Sequence, residues 1–102
     1  MTQIDDLICI AIDEKRKAKI IYRNGEERII EPHAYGYDLE WEKKLRAYQV
    51  SGHSESRQNE GWKTFIVSYI KDFQLKEDHF PGPREKYNPH GDEMIPHIIC
   101  KL

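Results

Sequence analysis

The stretch Arg28-Ile29-Ile30-Glu31-Pro32-His33-Ala34-Tyr35-Gly36 follows the pair Asn24-Gly25, and its reading decides the fold. Ile29, Ile30 and Ala34 supply apolar area. Arg28, Glu31 and His33 supply charge and hydrogen bonds, and Tyr35 a flat ring with a polar tip. Pro32 has no N–H to give a neighbour, so a strand here lies at an edge or carries a bulge at that point. The composition fits an ordinary half-exposed strand first, and a strand that binds something second.

Upstream, Ala18 to Arg23 is β-rich through Lys19-Ile20-Ile21-Tyr22. With Asn24-Gly25 as a tight type I′ turn, it predicts a hairpin onto a strand from Glu26 to about Tyr37. Before it, Ile4, Leu7, Ile8, Ala11 and Ile12 recur at three- and four-residue steps and predict a helix from Thr2 to about Lys17. Thr2 and Asp5 suit its N-terminus; Lys15, Arg16 and Lys17 suit its C-terminal end. A helix this short needs a surface to pack on, and the sheet provides one.

Downstream, 38–44 is a polar loop holding Trp41, which fits either a partner contact or a lid on a barrel end. Leu45 to Val50 alternates, with Leu45 and Ala47 on one face and Arg46, Tyr48 and Val50 on the other. A polar loop runs from Gly52 to Gly61. Trp62 to Val67 and Ile70 to Leu75 read as two more strands. The expected class is mostly β with an N-terminal helix (α+β), a small barrel or meander over residues 1–78. From 79 to 102, Pro81, Gly82, Pro83, Pro89, Gly91 and Pro96 predict an irregular tail that docks on the body or on a second subunit. Ile95, Ile98 and Ile99 suit that docking or an added strand.

A length of 102 residues suits one domain. The 11% aromatic content favours a packed core over disorder. The net charge of −2 hides an uneven distribution: residues 41–76 carry 7 Lys/Arg against 4 Asp/Glu, while both flanking segments are net acidic. An anionic partner therefore belongs in the middle third. The acidic start has no apolar run of signal length, and no stretch approaches membrane-spanning length. Cys9 and Cys100 read as free thiols of a cytoplasmic protein.

The pattern Arg28-x-Ile30-Glu31-Pro32-x-Ala34, then Leu45-Arg46-Ala47-Tyr48, then Trp62-Lys63-x-Phe65 and Ile70, resembles the bacterial WYL domain family over roughly Ala11 to Leu75. His53-Ser54-Glu55-Ser56 before Gly61-Trp62-Lys63, and Phe80-x-Gly82-Pro83-Arg84-x-x-Tyr87-Asn88-Pro89, are similar to a small stand-alone branch of it. The resemblance implies an Sm-like, SH3-like small β-barrel with a leading helix. It implies a sensor module of the kind attached to transcription regulators or phage-defence proteins, binding a nucleotide or single-stranded nucleic acid on a basic-aromatic face. By position, Arg28, Arg46 and Tyr48 belong to that face, with His33 and Tyr35 beside them. The chain departs from the family at Lys43-Lys44-Leu45, where the naming Trp-Tyr-Leu would stand. It departs again at Ile66 and Tyr69, where the family's ligand face has arginines.

The expected function is a non-catalytic binding module with no cofactor, its ligand residues Arg28, His33, Tyr35, Arg46, Tyr48, Trp62 and Lys63. Arg46 and Tyr48 share a strand face, so a guanidinium meets a phosphate while the ring stacks on a base. Trp62 and Lys63 point oppositely, so only one joins them. Three other readings compete. A loop His53 with Glu55 would give general acid–base chemistry, as in a small nuclease, although no phosphate loop or nucleophile elbow accompanies it. His97 and Cys100 with His90 or Asp92 would give a metal site, without a CxxC or HExxH motif. An interaction protein or homodimer would pair exposed strand edges, which is compatible with ligand binding.

Overall fold

The computed structural model describes residues 3–23, 25–52, 60–87 and 95–102. The apolar stripe of the first helix forms α1, Ile4–Glu14, and buries Ile8, Ala11 and Ile12. The helix stops before Lys17. Lys15 turns left-handed at φ 53°, and its N–H caps the carbonyls of Ala11 and Ile12. Arg16 and Lys17 then belong to a strand. Gln3 stands at the cap position without a side-chain hydrogen bond; Thr2, the expected cap, lies outside the described residues.

Among the described residues six strands follow: β1 Arg16–Tyr22, β2 Glu26–Tyr37, β3 Lys43–Gly52, β4 Gly61–Ile66, β5 Ile70–His79 and β6 His97–Lys101, with a 3-10 turn Val67–Tyr69 between β4 and β5. They form one antiparallel sheet in the order β4-β3-β2-β1-β5, with β6 added on β2. β1 and β2 pair from Ala18↔Ile30 to Tyr22↔Glu26. The connection therefore holds residues 23–25, one more than the expected two-residue turn. Arg23 gives its N–H to the Tyr69 carbonyl at 3.0 Å. Asn24 lies outside the described residues.

β2 organises the sheet. On one edge it pairs with β3 along its length, and that ladder shifts register between Pro32 and Ala34, the bulge that proline demands. The other edge is shared. β1 occupies it as far as Ile30, and β6 takes over from Ala34 to Tyr37. Gly36 permits this approach, because a Cβ there would run into the His97 carbonyl and the Ile98 backbone.

Ile8, Ile12, Ile20, Ile30, Leu45, Phe65 and Phe73 form the core between α1 and the curved sheet. No ladder joins β4 to β5 among the described residues, so the expected barrel is not closed by hydrogen bonding. Tyr22 bridges that gap: its hydroxyl accepts the Ile66 N–H at 3.0 Å, and its ring packs edge-on against Phe65.

The expectation of free thiols is overturned. Cys9 on α1 and Cys100 on β6 form a disulfide, with Cα atoms 5.9 Å apart. The pairing of Tyr35 with Cys100 carries that strand to the helix. Among the described residues no helix is long and apolar enough to cross a membrane.

Candidate functional site

The alternation of β3 turns Leu45, Ala47 and Gln49 inward and leaves Arg46, Tyr48 and Val50 half-buried on the outer face. Across the β3–β4 ladder Arg46 faces Thr64 and Tyr48 faces Trp62. Arg46 donates from Nη1 to Thr64 Oγ1 at 2.9 Å, and its guanidinium carbon lies 5.1 Å from the Trp62 ring centre. Tyr48 meets Trp62 edge-on, centroids 5.8 Å apart. These are ordinary cross-strand pairs, and they fix two aromatic rings and a cation in one patch.

Residues 80–87 form a strap that completes the patch. Arg84 reaches back to the carboxylate of Glu31, Nε to Oε1 at 2.7 Å and Nη2 to Oε2 at 3.1 Å. The Glu31 side chain is 2% exposed, so this fork is what makes its burial tolerable; Lys17 adds a weaker contact at 4.0 Å. The hydrogen bonds Arg84 donates to Glu31 raise its pKa. The same guanidinium sits 4.3 Å over the Tyr48 ring. Trp62 Nε1 donates to the Glu85 carbonyl at 3.0 Å, tying β4 to the strap.

His33 locks the strap from beneath. Its Nε2 accepts the Arg84 backbone N–H at 3.1 Å, so Nδ1 carries the proton and donates to the Glu31 carbonyl at 2.7 Å. The ring is neutral and fully buried. It lies edge-on to Trp62 at 4.7 Å and to Tyr87 at 5.2 Å, and stacks on Phe80 at 5.4 Å. Burial lowers its pKa, and the charges of Arg84 and Arg46 press in the same direction. The Tyr87 hydroxyl points to the carbonyls of His33 and Leu102.

Between strap and sheet lies a cleft of about 460 Å³ lined by Tyr48, Gly61, Trp62, Arg84, Glu85 and Lys86. Its two cations and two rings can hold a planar, anionic group; among the described residues Glu85 is the one carboxylate in its wall. Of the expected ligand residues, Tyr48 and Trp62 line it, Arg46 packs on Trp62 beside it, and His33 supports Trp62 from behind.

Three others lie away from this cleft. Arg28 follows the inward parity of Ile30, so it is buried, bonds Glu26 at 2.8 Å and lies against the rings of Tyr22 and Phe65. Tyr35 is in the core, where burial and the Asp5 carboxylate push its hydroxyl up to about 12. Lys63 pairs with Ala47, on the opposite parity to Trp62. The cations that do reach the cleft, Arg84 and Lys86, come from the tail. A sequence signal for a partner such as Arg84 is Glu31 itself: a carboxylate beside Pro32 in an apolar strand needs a cation.

The competing readings meet the structure unevenly. His53 and Glu55 lie outside the described residues, as do His90 and Asp92. Cys100 is held in the disulfide, and among the described residues no three His, Cys, Asp or Glu side chains converge as a metal site would need. Of the basic middle third, Lys43 is bonded to Asp5 at 2.5 Å, and Lys44 contacts Glu42 at 3.1 Å and Asp38 at 3.7 Å. No protein-family model matches this chain, and neither a curated protein nor a solved structure matches it.

Proposed function

We propose that this chain is a non-catalytic binding module, a small barrel of the Sm or SH3 kind left open between β4 and β5, that serves in regulation as a WYL-like sensor. Its ligand is a nucleotide or a short single-stranded nucleic acid, held in the cleft between β3, β4 and the strap. The observation that carries the reading is the Arg84 guanidinium 4.3 Å over Tyr48, beside Trp62. Base stacking on the Tyr48 face that Arg84 does not cover, and phosphate contact with Lys86 and the outer side of Arg84, use groups already in place. Arg84 is committed to Glu31, so Lys86 is the cation a phosphate engages at least cost.

Calorimetric titration with mononucleotides and a short oligothymidylate, at low and high salt, tests this. Saturable binding that weakens with salt is expected, and Tyr48→Ala should weaken it by about tenfold, the scale of one lost stacking contact. Affinities unchanged in both Tyr48→Ala and Lys86→Ala would remove the cleft as the site.

A further inference from the structure

A second cleft, of about 640 Å³, shares no lining residue with the first. It opens where the first turn of α1, the 38–43 connection and the 3-10 turn meet. Ile4, Val67 and Ile70 give it an apolar floor. Among the described residues its wall is acidic, with Asp5, Glu40 and Glu42 against the single cation Lys43.

The connection that forms the wall is built around Asp38. Its Oδ1 accepts the N–H groups of Glu40 at 2.8 Å and Glu42 at 2.9 Å, and its carbonyl accepts that of Trp41 at 3.1 Å. Those backbone donors, Glu42 first, with Lys44 behind, lower the Asp38 carboxyl pKa. The result fixes Trp41 on the rim. One face of its indole stacks on His97, centroids 4.2 Å apart and planes 10° from parallel. Tyr37 also meets the indole, centroids 5.6 Å apart, yet Trp41 is still 64% exposed, which leaves much of the face away from His97 open.

The charges at this rim are unequally satisfied. Lys43 is taken by Asp5, and Lys44 by Glu42 and Asp38. The Glu40 carboxylate has no ion pair or hydrogen bond among the described residues. An anion would meet three carboxylates here. A cation finds one unpaired carboxylate and an open indole face side by side, above an apolar floor.

We propose that this cleft docks a segment of a partner protein in which a lysine or arginine stands next to an apolar residue. The basic side chain takes Glu40 and the open face of Trp41. The apolar neighbour settles on Ile4, Val67 and Ile70, with Leu39, 76% exposed, beside the Trp41 rim. This surface is separate from the nucleotide cleft, so either assignment can fail without the other. If both hold, the module bridges an anionic ligand and a basic protein segment.

The test is an NMR titration of the isotopically labelled full chain with acetyl-Lys-Leu-Lys-Leu-amide, and with the Glu-Leu and all-Leu peptides of the same length. The basic peptide should give saturable shifts at the Trp41 indole and at the amides of Ile4, Ser68 and Ile70, with the Trp62 indole unmoved. The acidic peptide should bind at least about tenfold more weakly. Glu40→Gln should weaken the basic peptide by about threefold and Trp41→Ala by about tenfold. Both residues are exposed, so neither change threatens the core. Equal binding of the all-Leu peptide, or an affinity unmoved by Glu40→Gln, would overturn the choice of a cation. Absence of shifts at this cleft with the basic peptide would overturn the docking site itself.

Discussion

Arg84→Ala should unfold this protein far more readily than the loss of a half-exposed arginine ordinarily does. Arg84 is 43% exposed, but its partner Glu31 is 2% exposed and receives two of its N–H groups. Breaking a buried pair from one side costs ~3–5 kcal/mol, because the remaining charge stays buried. Water reaches the arginine end and Lys17 stands 4.0 Å from Glu31, so screening reduces the expected cost to ~2 kcal/mol. Over 102 residues an unfolding entropy of ~2.1 cal/mol/K per residue turns that into a fall in melting temperature of ~10 °C. The assay is thermal denaturation followed by circular dichroism at neutral pH. Adding Glu31→Gln to Arg84→Ala should recover about half the loss, since a neutral amide is cheaper to leave buried than a carboxylate. A fall below ~2 °C for Arg84→Ala, well under what a broken buried pair costs, would refute the coupling, and so would a double variant no better than the single one.

Two further outcomes follow from the same framework. Cys9 and Cys100 are 91 residues apart, so in the chain-entropy account their bond stabilises the fold by up to ~4–5 kcal/mol. Reduction, or Cys9→Ser with Cys100→Ser, should lower the melting temperature by ~10–20 °C, and a melt indifferent to reductant would refute the bond's role. His33 has a folded pKa below its ordinary 6.5, so the unfolded chain binds the proton more readily. Its contribution is complete above pH 6.5 and is lost as pH falls from there towards the folded value. Wild-type melting temperature should therefore drop on acidification across this window, more steeply than in His33→Asn; equal slopes would refute it.

Short-range features of this fold are legible in the sequence, and long-range ones are not. The helix stripe, the alternation of β3 and the bulge forced by Pro32 each follow from residues a few positions apart. The partner of Glu31 lies 53 residues away and that of Cys9 lies 91 away, and no periodicity encodes either. β2 shows the limit most clearly. Its residues from Ile30 to Gly36 are all buried, which alternation alone does not predict. One face meets the core, while the strap and β6 bring tail residues against the remaining surface. Strand parity puts Arg46 and Tyr48 on one face, and only the β3–β4 register sets Trp62 beside Tyr48. Arg84 and Lys86 were missed because the path of the Pro- and Gly-punctuated tail is a tertiary fact.

The shared edge of β2 gives the molecule a hierarchy of opening. Pro32 stands between the ladder to β1 and the ladder to β6, so the two can separate independently. In hydrogen-exchange terms the β6 amides and their partners on residues 34–37 form a unit of their own, poorer in contacts than the central hairpin. Were β6 to lift, Cys100 would still be tied to α1. The freed strand would search a small volume at a high effective concentration, and its return would be a first-order event independent of how dilute the protein is.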